Sequence, residues 1–358
     1  MDASSIMTAR DRHRTTTAFE QCVSGRRNLV TGAVFFVEAG DHVGAVLSQT
    51  RLDDIVFAPA GGVVMSSGSR VIPYDGALRE PGDRIMFDGG QTFELREYVA
   101  APFLPIVGPT LFRQCNAAGV AAFLSDADTA KDSGIFIDPL LSSTVLLDSL
   151  PSFLGSGREG EALPRVHVTA EGEYRDGPDG LLLGEVGDGR ADIEARAGEG
   201  AGRGRAFARV VDRGMLEADL DDRPWFARYI GAIDLLRRWE GVPNRPAISG
   251  FGGHLVRALD ELAALPGVVS PRVPYLLTGD GEEWMLIDPV SRRGIRLGID
   301  SARAAECLIA TADESAAVGL LAAELGRGTS SVASLVQEVR CRLAVVGLDP
   351  AAGGQAGL

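Results

Sequence analysis

The stretch PYLLTGDGEEWMLIDPVSRRGIRLGID, residues 274–300, decides the fold of this chain, because turn residues cut it into three short β-prone runs. Tyr275 to Thr278, Glu283 to Asp288 and Gly294 to Leu297 read as strands, separated by Gly-Asp-Gly and by Pro-Val-Ser-Arg-Arg-Gly. Three helical periods follow. Asp300 or Ser301 can cap the first, with Ala302, Ala305, Leu308 and Ile309 on one face. A second runs from about Asp313 to Leu325, with Ala317, Leu320 and Leu321 inward and Gly326 as its stop. The third, Ser330 to Val346, places Val332, Leu335, Val336, Val339, Leu343 and Val346 at helical spacing before Gly347. Three strands followed by three helices predict a winged-helix-like module over residues 269–349.

Outward from this module, a helical pair is expected over residues 224–268. Its first helix starts at Pro224, is capped by Asp222 and carries Trp225, Tyr229, Ile233 and Leu236 as far as Gly241. Its second runs from about Gly252 to Leu265, with Leu255, Leu259 and Leu262 inward, and closes at Pro266-Gly267. Residues 155–223 shift toward Gly and acids and read as a connecting region, with Val166 to Val168 and Leu181 to Val186 as strand-like islands and Ala197 to Gly204 as a flexible linker.

Residues 17–154 read as a mixed α/β domain. Ala33 to Val37, a short helix over Asp41 to Gln49, and Asp54 to Ala58 give a β-α-β order. Val71 to Tyr74, Arg84 to Phe87 and Thr92 to Val99 then read as antiparallel hairpins. Gly108-Pro109-Thr110 reads as the opening of a helix through Leu111, Cys115, Ala118 and Ala122 to Leu124. Gly134 to Ile137 reads as a strand, and Ser143 to Leu150 fits either period. Residues 1–16 lack periodicity and are expected to be a mobile arm, and residues 350–358 a frayed tail. The fold class is thus α/β or α+β: a mixed N-terminal domain with a C-terminal winged-helix-like module.

The 358 residues carry a formal net charge of -14 and a pI near 4.8, which argues against general affinity for nucleic-acid backbone or anionic membrane. Hydrophobic residues at 45% are enough for a buried core. Lys131 is the single lysine; standing between Ala130 and Asp132, it completes no phosphate-binding loop and makes a poor Schiff-base candidate. Cys22, Cys115, Cys307 and Cys341 are widely spaced and are expected as buried free thiols in a reducing compartment. No run approaches the ~18 apolar residues of a membrane span, so a cytoplasmic protein is expected.

Catalytic motifs fail one by one. His13, His42, His167 and His254 are isolated, and no Cys-x-x-Cys, His-Glu-x-x-His or Gly-x-Ser-x-Gly occurs. Gly250-Phe251-Gly252-Gly253-His254 resembles a dinucleotide loop only superficially, since Pro243-Asn244-Arg245-Pro246 precedes it rather than a buried strand; a turn into a helix is the simpler reading. Asp219, Asp221 and Asp222 are read as helix-capping and solvated charge rather than a metal site. No catalytic residue, cofactor or metal is therefore expected.

The module remains as the functional centre. DNA binding would want a basic recognition helix, yet the last helix balances Arg340 and Arg342 against Glu338. A sheet edge that takes an extended peptide fits better. The expected cleft lies between Gly294-Ile295-Arg296-Leu297 and the helix carrying Val332, Leu335, Val336, Val339 and Arg340, with Arg292, Arg293 and Arg296 as a positive rim favouring an acidic peptide.

Tyr275-Leu-Leu-Thr, Trp284-Met-Leu-Ile-Asp, Arg293-Gly-Ile-Arg-Leu-Gly, the helix starting Asp300-Ser-Ala-Arg and the ending Val339-Arg-Cys-Arg-Leu-Ala-Val-Val-Gly-Leu resemble the PqqD-like RiPP recognition element, over about the last 80 residues. With Gly25-Arg-Arg and Val107-Gly-Pro-Thr in front, the whole chain is similar to the recognition proteins of daptide biosynthesis in actinobacteria. The resemblance implies a non-catalytic protein that binds the leader of a ribosomally made precursor along the third strand and last helix. It also implies partner enzymes: a dehydrogenase-like decarboxylase, an aminotransferase and a methyltransferase. Two other classes stay open, an enzyme with its active site in the N-terminal domain and a winged-helix transcription regulator, and the composition leaves the oligomeric state open.

Overall fold

The computed structural model describes residues 9–62, 70–88, 90–154, 163–200, 202–242, 245–263, 274–281, 283–289, 291–311 and 313–348. The chain is a mixed α/β protein of two compact units, the first Met1–Ala122 with Thr144–Asp219, the second Phe123–Ser143 with Leu220–Gly357.

The first unit opens with helix α1 (Ala9–Ser24) and strand β1 (Val34–Val37), then helix α2 (Val43–Gln49) and strands β2 (Ile55–Pro59), β3 (Val71–Gly76), β4 (Arg84–Phe87), β5 (Gln91–Glu97) and β6 (Thr110–Arg113). Helix α3 (Ala117–Ser133) begins in this unit, and strands β7 (Val145–Leu147), β8 (Arg165–Val168), β9 (Glu173–Arg175) and β10 (Leu182–Glu185) and helices α4 (Arg190–Glu199) and α5 (Arg213–Asp221) complete it. One ten-stranded sheet results, ordered β10-β9-β8-β1-β2-β3-β4-β5-β6-β7. The expected β-α-β is present, with β1 parallel to β2, and β3, β4 and β5 form the expected antiparallel hairpins.

Alternation along the strands sorts two cores. In β1, Val34 and Phe36 face one core while Phe35 and Val37 face the other; Ile55 and Phe57 part from Val56 and Ala58 in β2 in the same way. Helix α1 lies against β1 and β8 and also against β7 at the far end of the strand order, so the sheet curls around it. Phe19 anchors α1 there, its ring 5.0 Å from Phe87, 4.7 Å from Phe93 and 5.8 Å from Phe57.

Several expectations are corrected. Residues 9–16, assigned to a mobile arm, belong to α1, because its apolar face has a sheet to bury against. The helix expected from Thr110 is strand β6, which pairs on both sides with β5 and β7; helix α3 starts at Ala117 instead, with the Asn116 side chain accepting from Gly119 N–H at 2.9 Å. Gly134 to Ile137 is not a strand. Within 155–223, read as a connecting region, β8 pairs with β1 in the sheet, while Ala197 and Glu199 end α4 rather than forming a linker. Its strand end is held by charge rather than apolar content. Arg165, 2% exposed, donates to Asp176 at 3.1 Å, to the Cys22 carbonyl at 3.0 Å and to Asp148 at 3.4 Å, and Arg113 donates to Asp148 at 2.6 Å. Burial alone would lift Asp148 and Asp176, but the facing arginines hold both below the usual carboxylate range.

The second unit carries helix α6 (Phe226–Leu236), strand β11 (Ala247–Ile248), helix α7 (Arg257–Ala263), strands β12 (Leu276–Gly279), β13 (Trp284–Ile287) and β14 (Gly294–Leu297), and helices α8 (Ile299–Thr311), α9 (Glu314–Leu325) and α10 (Thr329–Val345). The three strands and three helices expected of the module are present, within a residue or two of the bounds read from sequence. Asp313 caps α9 by accepting from Ala316 N–H at 2.7 Å, and Gly326, at φ 61°, ends it. Helix α7 starts later than expected, and Pro266-Gly267 lies outside the described residues, as do residues 350–358.

Candidate functional site

The sheet of the second unit has four strands, not three, in the order β11-β12-β13-β14, all antiparallel. Ala247 and Ile248 pair with Gly279 and Thr278, and Ser249 N–H reaches the Leu277 carbonyl at 2.8 Å. A two-residue strand therefore stands before the Gly250 turn, where none was expected. It pairs with β12 and becomes the edge on that side with only two residues, so that among the described residues the longer edge strand of this sheet is β14.

The hairpin fixes which backbone groups that edge presents. Asp288 N–H donates to the Arg293 carbonyl at 2.9 Å, which makes 288 and 293 a hydrogen-bonded pair. Pairs alternate along an antiparallel ladder, so Leu286 with Ile295 and Trp284 with Leu297 are bonded, whereas Ile287 with Gly294 and Met285 with Arg296 are not. The N–H and C=O of Gly294 and Arg296 thus point outward, away from β13. Arg292 in the connecting turn takes a left-handed φ of 59°, and Ser291 bonds the Asp288 carboxylate at 2.6 Å.

The side chains divide in the opposite sense. Leu297 is buried and Ile295 half-buried, and both join the apolar cluster that contains Val332, Val336, Val339 and Leu343 of α10. Val332, Val336 and Val339 are 1%, 0% and 2% exposed, so they are interior residues and offer no open groove wall. Their helical spacing reflected a helix packed into a core. Of the expected helix contacts only Leu335 and Arg340 are half-exposed, and Arg340 is tied to Glu314 at 2.6 Å. Gly294 and Arg296 are exposed, and Arg296 reaches Glu283 only at 3.8 Å, both side chains being 78% exposed. Arg293 places its guanidinium beside Gly347, which sets the end of α10 close to the start of β14.

Behind the sheet, buried charges hold β11 in place. Arg228 of α6 donates to the Ser249 carbonyl at 2.7 Å and the Tyr275 carbonyl at 3.1 Å, and burial pushes its pKa down to about 10. Glu306 of α8, 3% exposed, accepts from the N–H groups of Leu255 and Val256 and from the Ser249 hydroxyl; burial lifts its pKa although all three donors oppose the lift. Sequence reading passed over Glu306. The available signal was an acid beside Ala305 and Leu308 on the apolar face of its helix.

The histidines stand apart. His42 contacts the Ala170 carbonyl, His167 contacts Glu38 and His254 contacts Asp260, and among the described residues no group of three or more His, Cys, Asp or Glu could hold a metal. Asp219 and Asp221 fall at the end of α5, not at a helix start. Cys22 and Cys307 are buried as expected, and burial pushes each thiol up to about 12; Cys115 is half-buried and Cys341, contrary to expectation, is exposed. No helix among the described residues is long and apolar enough to cross a membrane. Comparison with family models, with characterised proteins and with solved structures finds no match to this chain.

Proposed function

We propose that this protein binds the leader segment of a ribosomally made precursor peptide by strand addition to β14 and presents the precursor to modifying enzymes, without catalysing a reaction itself. The observation that carries the reading is the edge itself: two residues, Gly294 and Arg296, with outward N–H and C=O groups on the four-residue edge strand β14, the opposite edge being the two-residue β11. Main-chain pairing there supplies affinity, and side chains of alternate peptide residues meet Ile295, Leu335 and the surface beside Arg293. Arg292, Arg293 and Arg296 favour an acidic strand in a protein whose overall charge is -14. The burial of Val332, Val336 and Val339 moves the expected contacts from a deep cleft to this edge.

The DNA-binding alternative loses support, because Arg340 and Arg342 of α10 are paired with Glu314 and Glu338 at 2.6 Å. Fluorescence anisotropy with the labelled leader peptide of a short precursor gene beside this one tests the proposal. Saturable binding at micromolar or lower concentration, competed by unlabelled leader and weakened by Arg296→Glu, is expected; no binding of that leader by the full-length protein refutes it.

A further inference from the structure

The first unit contains a cavity of about 260 Å³ at the amino ends of three neighbouring parallel strands, β8, β1 and β2. It is larger than the roughly 150 Å³ cavity that suffices for benzene, and polar groups share its lining. Arg27, Arg51 and Arg190 reach it from three separate segments, against the carboxylates of Asp53 and Asp54.

The surrounding hydrogen bonds show that the cavity is built rather than left over. Gln21, 1% exposed, spends its carboxamide on the loop that forms the wall: Nε2 donates to the Gly32 and Pro164 carbonyls at 2.9 Å, and Oε1 accepts from Leu29 and Val30 N–H. Asp54, 1% exposed, is consumed by Ala33 N–H, Arg51 N–H and Arg190. Glu194, outside the lining, accepts from Arg51 at 3.0 Å and from Arg190 at 2.8 Å, which fixes two guanidinium groups side by side. Gly32 sits so close to the Asp53 carbonyl that a Cβ would meet it at 2.3 Å, so loop and strand end are in backbone contact. Thr31 and Gly32, both in the lining, spend no backbone N–H on another described residue. Three arginines, Thr31 and Gly32 therefore line one cavity in which Asp54 is already consumed.

We propose that this cavity binds a small organic oxyanion, a carboxylate or a phosphate ester, through Arg27, Arg51 and Arg190. Guanidinium forks match either oxyanion in two-point geometry. The formal charge of -14 disfavours nonspecific association of anions with the chain as a whole.

Thermal unfolding and titration calorimetry of the full-length protein, with succinate in one arm and inorganic phosphate in the other, test the proposal. A saturable rise in Tm with at least one anion is expected, and the responding arm identifies the oxyanion class. Arg51 is 54% exposed, so Arg51→Gln leaves the fold intact while weakening Kd by about tenfold through loss of one charged hydrogen-bonding group. Asp53→Asn, which removes the opposing charge, tightens binding. Arg79→Gln, outside the lining, leaves binding unchanged. Absence of a saturable response to both anions overturns the proposal, as does binding by Arg51→Gln and Asp53→Asn that matches the unsubstituted protein.

Discussion

Arg296→Pro separates strand addition from every other use of β14. Proline lacks the N–H, and at position 296 that N–H points outward, because Met285 and Arg296 form a non-bonded pair. The hairpin therefore keeps all of its bonds to β13, and proline is tolerated on an edge strand in this orientation. A paired peptide loses one net hydrogen bond, about 1 kcal/mol, and leaves its own carbonyl without a donor, about 1 kcal/mol more. Loss of the Arg296 charge adds little, since its side chain is 78% exposed. The sum, about 2 kcal/mol, weakens Kd by roughly 30-fold. Arg296→Ala, which keeps the N–H, isolates the side-chain part and weakens binding much less. Ile295→Pro is the opposite control: its N–H points toward Leu286, so the hairpin itself is broken and the unit loses stability. Anisotropy with labelled leader, alongside circular dichroism and urea melts, reads all three. Unchanged leader affinity in a folded Arg296→Pro protein refutes pairing along this edge.

Three further outcomes follow from the packing. Arg165→Met leaves Asp148 and Asp176 short of their buried partner and destabilises the first unit by about 3 to 5 kcal/mol in urea unfolding. Those two aspartates, held below their unfolded values, contribute stability that is complete above about pH 4 and is lost as pH falls through their lowered folded values, so acid unfolding measured by circular dichroism flattens in Arg165→Met. Gly279→Ala forces a Cβ to 2.6 Å from the Trp284 ring and 2.5 Å from the Glu283 carbonyl; a loss of about 1 to 3 kcal/mol and a shift in tryptophan emission are expected. Under native conditions a thiol reagent labels exposed Cys341 first, while Cys22 and Cys307, with thiols pushed up to about 12, react only on unfolding, which mass spectrometry of the labelled peptides checks.

The terminal strands and helices were legible because their signals are local. Gly-Asp-Gly, Asp313 and Gly326 act within a few residues, and each did what its chemistry predicts. What escaped depends on partners far along the chain. Thr110–Arg113 follows a proline and carries a hydroxyl, a fair helix start, yet becomes a strand because β5 and β7 flank it. Residues 155–223 read as a connecting region with only two strand-like islands, since Arg165 and Asp176 count as surface residues until their pairing is known. The same limit applies at the candidate site. Spacing put Val332, Val336 and Val339 on one helical face, and it cannot distinguish a face turned to a ligand from one turned to a core. Nor does spacing reveal Ala247-Ile248, too short to read as a strand until Gly279 and Thr278 are beside it.

That two-residue strand limits how freely the module can be transplanted. A fragment starting at residue 269 retains β12, β13 and β14 but leaves behind β11, the Arg228 donors and the Ser249 that engages Glu306. Its sheet then presents the four-residue β12 as an edge where the two-residue β11 stood, and a second fragment can pair there. A transplant that keeps β12 paired takes the chain from α6 onward, because the strand that pairs with it and the Arg228 donors that hold that strand are encoded upstream of β12.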